Sequence, residues 1–95
     1  MASQAVRRGD INSAGGATTT GSTKVLVDGR PLCYPGIRVT PHPCCPADGC
    51  AAHCAASTTG GSKKVTVEGK PVLRVGDIDT CGDPRATGST KVIIG

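Results

Sequence analysis

The sequence predicts an all-β fold of three related hairpin units in a single domain spanning residues 1–95. Three observations carry this: a phrase that occurs three times, β-branched residues that alternate within each copy, and a glycine and proline content too high for long helices. Gly (14) and Pro (7) supply 21 of 95 residues. Leu, Ile and Val supply only 17, Tyr34 is the one aromatic residue, and Phe and Trp are absent, so the chain cannot enclose an ordinary hydrophobic core. The net charge is only +4, from 11 Lys and Arg against 7 Asp and Glu, which is not the charge excess of a disordered chain. Something besides core size must hold such a domain together, and the candidates are a metal, disulfides or a larger partner.

The repeated phrase runs Gly21-Ser22-Thr23-Lys24-Val25-Leu26-Val27-Asp28-Gly29, then Gly61-Ser62-Lys63-Lys64-Val65-Thr66-Val67-Glu68-Gly69, then Gly88-Ser89-Thr90-Lys91-Val92-Ile93-Ile94-Gly95. Each copy reads as a short strand running into a tight turn. Asp28-Gly29 and Glu68-Gly69 lead into Pro31 and Pro71, so the first two copies each open a hairpin. A second phrase, Gly9-Asp10-Ile11 and Gly76-Asp77-Ile78, stands twelve residues ahead of the first and third copies. An offset of 40 aligns the first copy with the middle one, whereas the step from Gly61 to Gly88 is 27 residues. The shortfall of 13 equals the length of the segment from His42 to Cys54, which reads as an insertion into one connection of a threefold design. The same alignment makes Ala14, Pro41 and Cys81 equivalent, in three connections that converge at one end. The expected body is three-sided, with a wide end and a narrow one.

The insertion holds His42, Cys44, Cys45, Cys50, His53 and Cys54 in thirteen positions, the strongest chemical signal in the chain. Residues Met1 to Asp10 lack the apolar stretch of a signal peptide, and the aliphatic runs are three residues long at most. Synthesis in a reducing cytosol is therefore expected, and the Cys and His residues read first as metal ligands, second as disulfides and third as buried free thiols. Gly49, Ala51 and Ala52 leave room for a tetrahedral site. Cys33 aligns with Leu73 and reads as a small core residue. Cys81 falls at the converging end beside His42, where a ligand from a distant repeat would staple the chain. A site closed by four protein donors has no open position for water, so hydrolysis is not expected.

Other motifs take blander readings. Arg8-Gly9-Asp10 spells an adhesion tripeptide, but the second copy is Val75-Gly76-Asp77, so Gly-Asp is turn chemistry. Cys50 or Cys54 beside His53 could pair a nucleophile with a base, yet no orienting or oxyanion group accompanies them, and no enzyme is expected. Lys24, Lys64 and Lys91 recur at one repeat position, as solvated strand residues or as the rim of a partner-facing wide end. The basic residues are scattered without aromatic interleaving, which argues against nucleic-acid binding.

These phrases, in this order and from Gly9 to Gly95, resemble the PAAR-repeat spike-tip proteins of contractile injection machines: type VI secretion systems, phage tails and phage-tail-like particles. The family's Pro-Ala-Ala-Arg signature corresponds to Pro71-Val72-Leu73-Arg74 and, more loosely, to Pro31-Leu32-Cys33-Tyr34. The resemblance implies a small cone of three pseudo-threefold β units, with one structural Zn2+ near its apex. Its flat base would sit on a trimeric β-helical spike, one tip per trimer. By position, Cys81, His42 and His53 match the family's ligands. Ala14 stands before Gly15-Gly16 where the family often has a histidine, so Cys50 or Cys54 is expected to supply the fourth bond. The role implied is to cap and sharpen the spike and to meet a target membrane transiently. The chain would be monomeric by itself, would act on no small-molecule substrate, and would be made in the cytosol and carried out at the tip of the apparatus. No effector extension is expected. The alternative is a small cytosolic zinc-binding interaction module, acting on nucleic acid.

Overall fold

A computed structural model describes residues 3–43, 45 and 49–94; Cys44, one of the candidate ligands, lies outside them. In chain order the elements are β1 (Ser3–Gln4), β2 (Leu26–Val27), β3 (Arg30–Pro31), α1 (Ala51–Cys54), β4 (Thr66–Val67), β5 (Lys70–Pro71) and β6 (Ile93–Ile94). They form three antiparallel two-stranded sheets, β2 with β3, β4 with β5, and β1 with β6, so the third unit is completed by residues from the opposite end of the chain. The body measures 38 × 26 × 23 Å. Among the described residues no helix is long and apolar enough to cross a membrane.

The repeated phrase folds the same way three times. Ser22 Oγ accepts the amides of Lys24 and Val25, Ser62 Oγ those of Lys64 and Val65, and Ser89 Oγ those of Lys91 and Val92, all at 3.0 Å. A serine in each Gly-Ser pair therefore closes a local turn that launches the strand. Asp28 and Gly29 have φ of 54° and 78°, and Glu68 and Gly69 have 50° and 79°. Two successive positive φ values make the hairpin turn whose twist suits the flanking strands, which is why both turns end in glycine.

Packing follows the pseudo-threefold axis in tiers. Ala5, Leu32 and Val72 occupy equivalent repeat positions and pack with the equivalent Val27, Val67 and Ile94. The next tier is Val6, Cys33 and Leu73, with Ile37 beside them. There the backbone closes a ring: Val6 N donates to Leu73 O, Leu73 N to Cys33 O and Cys33 N to Val6 O, at 2.9–3.0 Å. Isolated antiparallel bridges extend the symmetry, joining Asn12 to Arg85, Val39 to Thr18 and Asp79 to Thr58.

This third tier breaks the apolar pattern. Thr18, Thr58 and Arg85 are equivalent in the repeat and all buried, so a guanidinium stands where the other two units place a hydroxyl. Arg85 donates to the carbonyls of Asp10 (3.2 Å) and Gly16 (2.7 Å) and pairs with Asp79 at 3.1 Å, both side chains being 0% exposed. Asn12 Nδ2 donates to the same carboxylate at 3.0 Å. Asp10 of the Arg-Gly-Asp tripeptide is buried and accepts from the Arg7 amide at 2.7 Å and from its guanidinium, an arrangement repeated by Arg74 and Asp77.

Candidate metal centre

Beyond the third tier, the connections bring together four side chains from two stretches of chain. His42 opens the insertion and is buried; His53 lies in α1, near the insertion's far end. Cys81 and Asp83 come from the third repeat's connection. Gly82 between them, at φ 95°, makes a turn that L side chains adopt with strain, and this turn sets the Cys81 and Asp83 side chains on one side. Two backbone bonds close it, from Gly82 N to Asp79 O and from Asp79 N to Asp83 O.

One donor atom from each of His42, His53, Cys81 and Asp83 falls within 4.8 Å of all the others, a group that could hold a metal ion. His42 Nε2 lies 3.1 Å from His53 Nδ1, 3.4 Å from Cys81 Sγ and 3.3 Å from Asp83 Oδ2. Asp83 Oδ2 lies 3.2 Å from His53 Nδ1 and 3.5 Å from Cys81 Sγ. His42 Nδ1–H donates to the Thr40 carbonyl at 2.9 Å, which leaves the Nε2 lone pair facing the group. The two rings meet edge to face, with centroids 5.0 Å apart. Burial pushes the Cys81 thiol above its ordinary range, and its proton is directed at Asp83.

The structure thus gathers three of the expected ligands, His42, His53 and Cys81, and adds Asp83, which no sequence motif singles out. Cys54 is placed differently from expectation, in a disulfide with Cys45 with Cα atoms 5.2 Å apart. Cys50 is likewise disulfide-bonded. A disulfide sulfur has no thiolate to give a metal, and the fourth member of the group that could hold an ion is the Asp83 carboxylate. The first repeat contributes backbone alone. Gly16, the equivalent of Asp83, lies so close that a Cβ there would stand 2.5 Å from His42 Nδ1. Asn12 Oδ1 accepts the amides of Ala14 and Gly16 and fixes that approach. Cys33 is a free thiol at 0% exposure in the second tier, its pKa pushed by burial to about 11.

The fold and site define a class of small all-β protein: a threefold body with a group that could hold a metal gathered where its connections meet. The model of the PAAR motif family matches residues 8–87, and the chain belongs to that family. Membership supports a spike-tip role in contractile injection systems, in association with a spike protein. A search of curated proteins finds no match.

Proposed function

We propose that this protein is a zinc-stapled, non-enzymatic tip that caps a trimeric spike and is driven with it into a target envelope. The observation that carries the docking half is the recurrence of exposed apolar side chains on the three hairpin units. Val25, Val65, Leu26 and Ile93 are exposed to 39, 37, 61 and 52%, and they occupy only two repeat positions. One chain therefore offers three related faces, as a threefold partner requires. Thr66 stands where the other units have Leu26 and Ile93, so the three faces are similar without being identical.

The donor set supports zinc at the other end. Four donors arranged tetrahedrally at zinc bond lengths of about 2.0–2.3 Å stand about 3.3–3.6 Å apart; five of the six separations among these donors run from 3.1 to 3.5 Å, and the sixth, His53 to Cys81, is no more than 4.8 Å. His42, His53, Cys81 and Asp83 would hold the ion. When bound, it would cross-link the insertion to the third connection, a role that matters in a chain with so few large apolar side chains. Two nitrogens, a thiolate and a carboxylate complete a tetrahedron, leaving no protein-directed opening for a reacting water.

Co-purification tests the reading. The chain should bind a trimeric spike at one copy per trimer, and Leu26→Asp with Ile93→Asp should abolish that binding while the domain stays folded. Elemental analysis of protein purified without added metal should give close to one zinc per chain. Binding to no spike, or undiminished binding by the double variant, would overturn the docking assignment; absence of zinc would overturn the metal assignment.

A further inference from the structure

The two histidines of the metal centre bracket a loop that carries its own covalent fastener. Cys45 lies three residues after His42, and its amide donates to the His42 carbonyl at 2.9 Å. Cys54 follows His53 directly in α1, and the Cys45–Cys54 disulfide joins the two sides. The ring is completed by His42 N donating to His53 O at 3.2 Å and by His53 N donating to Cys50 O at 3.0 Å. We infer that the Cys45–Cys54 disulfide is a redox-operated clamp on the histidine pair: closed, it holds both imidazoles ready for the metal; open, it releases them and the metal is held less tightly. The inference rests on reading His42, His53, Cys81 and Asp83 as metal ligands.

The physical basis is loop closure. Bringing His42 and His53 to a common point requires the intervening chain to close on itself, and without the disulfide that entropy is lost at the moment of metal binding. The Cys45–Cys54 bond, nine residues apart in sequence, restricts the same loop beforehand. A cross-link over a loop of this length is expected to change the binding constant by about tenfold to a hundredfold. In the cell the bond would form by exchange with a disulfide oxidant such as oxidised glutathione. Two thiols lose two protons and two electrons, and glutathione leaves as two thiols. Metal affinity would then rise on passage from a reducing compartment to an oxidising one.

The test compares zinc binding, by competition with a chromophoric chelator, in three samples of the full chain. The first is the oxidised protein. The second is the same protein reduced by a water-soluble phosphine, which takes oxygen from water to become the phosphine oxide while each sulfur gains a proton; this opens the disulfide of Cys50 as well as the clamp, and comparison with the third sample separates the two. The third is Cys45→Ala/Cys54→Ala, kept oxidised, which cannot form the clamp, offers no thiolate at either position and leaves the disulfide of Cys50 closed. Cobalt(II) spectra of each count the thiolates bound, and melting curves of each metal-free sample report folding. The clamp predicts tight binding with one thiolate in the oxidised protein and binding about tenfold to a hundredfold weaker in both other samples, still with one thiolate. Equal affinity in all three overturns the clamp and leaves the metal site standing. Tighter binding with additional thiolates on reduction also overturns it, because the cysteines would then be ligands. No binding in any sample overturns the metal site itself and the clamp with it.

Discussion

Replacing Arg85 by Met isolates the charged tier that separates the apolar core from the candidate metal centre. The substitution keeps side-chain length and removes the charge. It leaves the Asp79 carboxylate at 0% exposure with the Asn12 amide as its remaining side-chain donor, and Asp79 Oδ1 already has no partner among the described residues. The carbonyls of Asp10 and Gly16 lose Arg85 but keep one backbone donor each, Thr18 N and Asn12 N, so their contribution is small. The largest cost is that of an unpaired buried carboxylate, about 3–5 kcal/mol. In a domain of this size each kcal/mol moves the melting point by about 4–8 °C, so Tm should fall by at least about 12 °C in scanning calorimetry of the metal-free protein. Burial pushes Asp79 up and Arg85 down, each toward its neutral form. The pair therefore returns less than its desolvation takes, and Arg85→Met/Asp79→Leu should recover most of the loss. A carboxyl whose folded pKa lies above its unfolded one stabilises the fold when protonated and withdraws that contribution as pH rises through the folded value. The single variant should accordingly lose less stability at pH 4 than at pH 7, and the double variant should show no such dependence. A single variant within 1 kcal/mol of the parent, or a double variant no better than the single, would refute the reasoning.

Three further outcomes are expected. Asp83→Ala removes one of four donors and should weaken zinc binding by about a hundredfold or more in chelator competition, with the cobalt spectrum still showing one thiolate. Gly16→Ala drives a methyl group to 2.5 Å from His42 Nδ1 and 2.6 Å from a Val39 methyl, so both metal affinity and Tm should fall, the first by at least about tenfold. Burial raises the Cys33 thiol from 9.0 to about 11. Its contribution to stability is thus complete below pH 9 and lost as pH rises through 11. Cys33→Val should remove that slope from the difference between the two Tm–pH profiles while retaining the metal.

The threefold plan is legible in the sequence because symmetry leaves a numerical trace. Offsets of 40 and 67 align every tier, and they alone place Cys33 in the core and Cys81 beside His42. The fourth donor is harder to see because Asp83 precedes Pro84 and reads as turn chemistry; its one signal is a position two residues after Cys81 across a glycine. Compartment sets disulfides below metal ligation, and spacing does not encode which cysteines pair. Cys50 and Cys54 are accordingly expected to donate to a metal, whereas both sulfurs are already bonded. Arg85 is invisible for another reason. A lone arginine among glycines and threonines looks solvated, and only its equivalence to Thr18 and Thr58 marks the position as buried.

The ring of backbone bonds through Val6, Leu73 and Cys33 changes what kind of repeat protein this is. In an open solenoid the terminal repeat has one neighbour and frays first, so stability adds up repeat by repeat. Here each unit hands its amide to one neighbour and takes an amide from the other, and no unit is terminal. Detaching any one of them breaks two junctions and also parts β1 from β6 or opens a hairpin's partner tier. The ring acts as a hoop: spreading one side puts all three junctions in tension, and the domain should come apart as a whole rather than unit by unit.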